Sequence, residues 1–172
     1  KAAPAADELD AGGTVASWAN GIVLVAASVD RDMSGRPLAV NARWSTSVPV
    51  HSDLTVFAQV LDASGHLLAQ VDSRPRGGRW PTDAWPEGVA IDDVYAFASR
   101  ADGWRQVIVG FYDSTGARIR LQDDSGDHVI LLERSAADAA AYPSFIESYS
   151  ATVSASGSAF SSSWSSCRSR SY

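Results

Sequence analysis

The sequence predicts an all-β fold, an antiparallel Greek-key β-sandwich of about eight strands with immunoglobulin-like or jelly-roll-like character. Two observations carry that prediction. Between residues 21 and 134, short apolar runs alternate with turn signals roughly every ten residues, and no segment there holds the apolar stripe of an amphipathic helix. One turn design also occurs twice, as Asp62-Ala63-Ser64-Gly65 and as Asp113-Ser114-Thr115-Gly116, each between two apolar runs. The Asp side chain accepts backbone N–H groups at the start of such a turn, and the Gly supplies the left-handed conformation that closes it. Two hairpins of one kind imply antiparallel pairing.

The strands follow in order. Residues 21–29 are a nearly unbroken apolar run, and 38–45 lead apolar side chains into Trp44. Residues 54–61 and 66–72 flank the first Asp turn, and 89–98 follow a loop rich in Pro and Gly. In 104–112, Val107, Val109 and Phe111 face one side while Ile108, Gly110 and Tyr112 face the other, so both faces are apolar and the strand is central. Residues 117–121 alternate Ile119 and Leu121 with Arg118 and Arg120, as a strand nearer an edge does. Residues 128–133 complete the set.

This pattern divides the chain into three parts. Residues 1–20 read as an N-terminal arm or linker, 21–134 as the sandwich, and 135–172 as an Ala/Ser-rich extension. Within the sandwich, residues 74–88 carry three prolines and three glycines and form an irregular crossover, ordered by Trp80 and Trp85. In the extension, residues 135–141 read as a short helix ended by Pro143. Serine then dominates from residue 144 onward, with Phe145, Tyr149, Phe160, Trp164 and Tyr172 spaced through it. A Ser-rich segment with spaced aromatics suits strand addition to a partner's sheet edge, so these five residues are candidate partner contacts.

Charge narrows the function classes. Fourteen Lys and Arg stand against 20 Asp and Glu, a net charge of −6, and no basic cluster overrides that field, which argues against nucleic acid as a partner. No run approaches the ~18 apolar residues of a membrane-spanning helix. Because the sequence opens on Lys1 rather than Met, a removed signal peptide or upstream region is the expectation. The single Cys167 allows no internal disulfide.

The core positions resemble a known family. Phe57 to Asp62, Gly65, Ala69, Gln70, Asp72, Pro75, Gly78, Pro81, Thr82, Trp85, Asp93, Val94, Tyr95, Gly103, Trp104, Val109 to Asp113 and Gly116 stand in an order similar to that of the C-terminal extracytoplasmic β-sandwich module of predicted bacterial membrane glycosyltransferase-like proteins. The likeness covers roughly residues 22–132. It implies a bacterial, extracytoplasmic Greek-key sandwich on the cell surface or secreted, without assigned catalytic residues. The chain departs from that pattern in lacking a membrane-spanning portion, in reading Trp85-Pro86-Glu87-Gly88 where Trp-x-Pro-Gly-Glu is usual, and in its serine-rich tail.

Catalytic constellations are not evident. His51, His66 and His128 each stand beside a turn or strand start, without a Gly-x-Ser-x-Gly elbow. Asp92 and Asp93, as strand neighbours, point to opposite faces and cannot flank one glycosidic bond. No catalytic residue, transition-metal site or obligatory cofactor is therefore expected. Calcium is the one cation the residue types suit, with Asp123, Asp124 and Asp127 in an acidic loop as its ligands. The sequence thus points to a non-enzymatic structural or interaction module of a cell-surface or membrane-associated assembly, whose partners are protein subunits, possibly copies of itself. The alternative is a carbohydrate-binding module that presents Trp80, Trp85 and Trp104 as a flat platform for glycans.

Overall fold

A computed structural model describes residues 14–135 together with the strand Asp7–Leu9. Phe145, Tyr149, Phe160, Trp164, Tyr172 and the helix expected before Pro143 lie outside the described residues. The described residues form an antiparallel β-sandwich of nine strands: β1 (Asp7–Leu9), β2 (Ala16–Ser17), β3 (Ile22–Arg31), β4 (Pro37–Thr46), β5 (Thr55–Leu61), β6 (Leu67–Ser73), β7 (Ile91–Ala96), β8 (Gln106–Tyr112) and β9 (His128–Glu133). One sheet runs β1-β3-β4-β7, with β2 also paired to β3, and the other runs β6-β5-β8-β9. The connections after β4, β6 and β7 each cross between the sheets, which makes the topology a Greek key.

Alternation explains which side chains meet between the sheets. Val56, Ala58 and Val60 of β5 and Val107, Val109 and Phe111 of β8 face Leu24, Ala27 and Val29 of β3 and Val40, Ala42 and Trp44 of β4 in one buried cluster. The step from Leu24 to Ala27 breaks the two-residue period. A bulge at Val25 absorbs it, so that Leu24 still pairs with Trp44 and Ala27 with Ala42. At the centre, Trp18, Trp44 and Phe111 meet edge to face, with ring centroids 5.8, 5.2 and 4.9 Å apart.

The Asp turn occurs three times in full. Asp32, Asp62 and Asp113 each accept two backbone N–H groups through Oδ1, from Ser34 and Arg36, Ser64 and His66, and Thr115 and Ala117, at 2.7 to 3.1 Å. The closing glycines have φ values of 75°, 80° and 86° at Gly35, Gly65 and Gly116. Residues 117–121, however, are not a strand. They bond to β8 only at Tyr112 and Phe111, because β9 takes the same edge of β8 from Gly110 onward. The segment instead bridges to the other sheet, where Leu121 pairs with Trp18 and Ala19 donates to the Arg120 carbonyl at 2.9 Å.

The arm expected over residues 1–20 also differs. β1 and β2 both pair with β3, and Trp18 is fully buried, so Asp7–Leu9 and residues 14–20 belong to the sandwich. A two-residue strand and one tryptophan leave no periodic signature in sequence, yet the indole supplies more apolar area than a typical strand residue.

Candidate functional site

The three tryptophans do not form a platform. Trp85 is 4% exposed and donates its indole N–H to the Trp80 carbonyl at 2.9 Å, while Trp104 is 4% exposed and donates to the Gly35 carbonyl at 3.1 Å. Both plug the sandwich, so neither offers a ring face to a sugar. Trp80 is half-buried against the core and sits in the crossover that Thr82 ties to the start of β5, whereas Trp104 lies beside the end of β5, where Arg105 donates to Leu61. The rings therefore lie at opposite ends of one strand.

The acidic loop spends its carboxylates on itself. Asp123 Oδ1 accepts the Ser125 backbone N–H at 3.0 Å and its hydroxyl at 2.6 Å. Asp124, at φ 59°, accepts Arg120 Nε at 2.8 Å. Asp127 Oδ1 stands 2.7 Å from His128 Nδ1 and 3.4 Å from Arg118. Among the described residues no three Asp, Glu, His or Cys side chains gather as a metal-ligating group. The acidic run works as turn chemistry with two arginine pairs.

The most organised surface is the outer face of β6-β5-β8-β9, and it starts from a glycine. Gly110 lies in the central strand β8, and a Cβ there would stand 2.5 Å from the Phe57 ring and 2.6 Å from the Asp127 carbonyl oxygen. The missing side chain lets Phe57 lie flat across β8, where it is 1% exposed although it points away from the inter-sheet core. Arg118, leaving the Asp113 turn beside Tyr112, brings its guanidinium 4.1 Å above the Phe57 ring centroid. Tyr112 stacks at 6.4 Å on the same ring, and Ile108 is 2% exposed.

From this seat Arg118 organises a ladder of side chains across the sheet. It donates to Gln59 Oε1 at 3.2 Å, Gln59 Nε2 donates to Gln70 at 3.3 Å, and Gln70 Nε2 donates to Asp72 at 3.1 Å. In the other direction it reaches Asp127, which in turn meets His128. When Nδ1 of the neutral ring donates to Asp127, Nε2 is left as an acceptor. Partial desolvation raises the Asp72 carboxyl above the usual carboxylate range, opposed by the Arg118 charge. Burial also pulls Asp127 upward, but the His128 hydrogen bond and Arg118 outweigh it and hold its pKa below the ordinary value.

His128 ends the ladder and lines an open cleft of about 680 Å³ between β2 and β9, roofed by the 117–127 connection. Val15, Val129 and Ile130 supply apolar surface there, and Gln122, Ser125 and His128 supply polar atoms. Composition and spacing do not single out these residues. The available signal is Gly110, a glycine inside an otherwise strongly apolar strand, which marks close approach by another group. The chain matches no family model, no curated protein and no solved structure.

Proposed function

We propose that this chain is a non-enzymatic interaction module of an extracytoplasmic, cell-surface or membrane-associated assembly, and that it meets its partner through the outer face of β6-β5-β8-β9. The supporting observation is the continuous ladder from Asp72 to His128, in which Arg118 is fixed above Phe57 before any partner arrives. Side chains already held in one arrangement lose little conformational freedom on binding. A solvated face without a role needs no such network.

Site-specific photo-crosslinking in the cells that make the protein tests this reading. A benzophenone side chain at Gln70, on the ladder, is expected to capture a partner. The same group at Val94, 60% exposed on β7 of the other sheet, serves as reference. Capture from Gln70 alone supports the assignment of the face. Equal capture from both positions, or none from Gln70, removes it.

A further inference from the structure

Resting on that reading of the face, we infer that the ligand is a neutral carbohydrate chain, bound in the cleft beside His128 and along the ladder that leads to it. Three observations favour this chemistry over protein, phosphate or acidic polysaccharide. First, the cleft mixes apolar Val15, Val129 and Ile130 with polar Gln122, Ser125 and His128. A sugar ring is amphipathic in the same sense, with apolar C–H faces and a rim of hydroxyls. The volume of about 680 Å³ lies in the range of small-ligand sites.

Second, the ladder offers both donors and acceptors in fixed positions. Gln59 and Gln70 each use one amide hydrogen within the ladder and keep a second N–H, and in the neutral ring with Nδ1 donating to Asp127, His128 Nε2 accepts. Hydroxyl groups both donate and accept, so they satisfy such a row, and sites built on hydrogen bonds to hydroxyls discriminate strongly against ligands that lack them. Third, charge and apolarity exclude the competitors. Asp72 and Asp127 flank Arg118, which already pairs with Asp127, and Asp123 lines the cleft, so an anionic ligand meets net repulsion. A protein interface of ordinary strength centres on buried apolar anchors, yet Phe57 and Ile108 are 1% and 2% exposed, and the open apolar side chains of this face, Leu67 at 50% and Ile130 at 45%, stand on β6 and β9 at opposite edges of the sheet.

Calorimetric titration of the full chain with neutral hexose and N-acetylhexosamine oligomers, and with a uronic acid oligomer, tests the inference. At least one neutral series is expected to bind and the uronic acid series not to. Gln122→Ala and the pair Gln59→Ala with Gln70→Ala should each weaken binding about tenfold. Trp80→Ala, away from the face, should leave it unchanged, and near-ultraviolet circular dichroism checks that each variant stays folded. No binding by any neutral oligomer, tighter binding of the uronic acid series, or a folded Gln122→Ala variant with undiminished affinity overturns the inference. If Gln70 still crosslinks to a partner while no oligosaccharide binds, only the ligand class falls. If neither occurs, the assignment of the face falls with it.

Discussion

At the scale of single residues, Thr82 shows how little a sequence need say about a position that matters. Its hydroxyl donates to the Ser52 carbonyl at 2.6 Å and accepts the Leu54 N–H at 2.8 Å, and the residue is fully buried. One side chain thereby satisfies both backbone groups where the crossover meets the entry to β5. Thr82→Val keeps the shape and leaves the buried Leu54 N–H unpaired, while the Ser52 carbonyl near the surface loses its partner, at a cost of roughly 2–3 kcal/mol. A fall in Tm of about 10 °C is expected in calorimetry. Thr82→Ser, which keeps the hydroxyl, should lose only about 1 kcal/mol for the missing methyl; equal losses in the two variants would show that packing, not hydrogen bonding, sets the value. Nothing in residues 74–88 distinguishes Thr82 from an exposed loop threonine, because the residues it serves lie about thirty positions away.

Elements were legible where their pattern is local. The strands on either side of the Asp62 turn appear in the structure within about one residue of expectation, within the usual scatter of strand boundaries. The same turn chemistry at Asp32 to Gly35 was equally readable from Asp-x-Ser-Gly, and it joins β3 to β4. What sequence could not supply was competition between elements. Residues 117–121 have strand-like alternation, but β9 takes their place beside β8, and β9 arrives from later in the chain. The N-terminal segment hid for a similar reason, since Trp18 is recognisable as core only once Trp44 and Phe111 are beside it. Trp18→Ala should therefore cost about 3–5 kcal/mol in urea unfolding. Trp18→Phe should cost distinctly less, because the indole N–H it removes is buried without a hydrogen-bond partner among the described residues. If Trp18→Ala leaves stability unchanged, the segment does not belong to the cooperative unit.

At the scale of the whole molecule, the Asp turns couple both ends of the sandwich to pH. Asp32 and Asp62 close hairpins beside the start of β8, Asp113 lies at its far end, and Asp123 orders the connection that bridges the sheets. All four carboxyls titrate below the ordinary range. At Asp32 burial pulls upward, but hydrogen bonds from Arg36 and Ser34 outweigh it. At Asp62 the leading cause is the His66 backbone N–H, at Asp113 the Thr115 hydroxyl and N–H, and at Asp123 the Ser125 hydroxyl and N–H. Arg36 adds an ion pair from Asp32 to Asp102, tying the β3–β4 turn to the connection before β8. A carboxyl whose folded pKa is lowered contributes its stability above the unfolded value of about 4 and loses it as pH falls through the folded value. Asp72 works in the opposite direction, because its raised pKa makes ionisation a cost that acid relieves. With Asp92 and Asp127 also lowered, six such carboxyls outnumber the raised Asp72 among the described residues, so unfolding free energy should be nearly level above about pH 5 and decline below about pH 4. An Asp32→Asn/Asp113→Asn variant retains a side-chain oxygen as turn acceptor at every pH but has no proton to bind, so its acid decline should be shallower than that of the wild type. Urea titrations at a series of pH values measure both slopes, and identical slopes would place the acid sensitivity outside these turns.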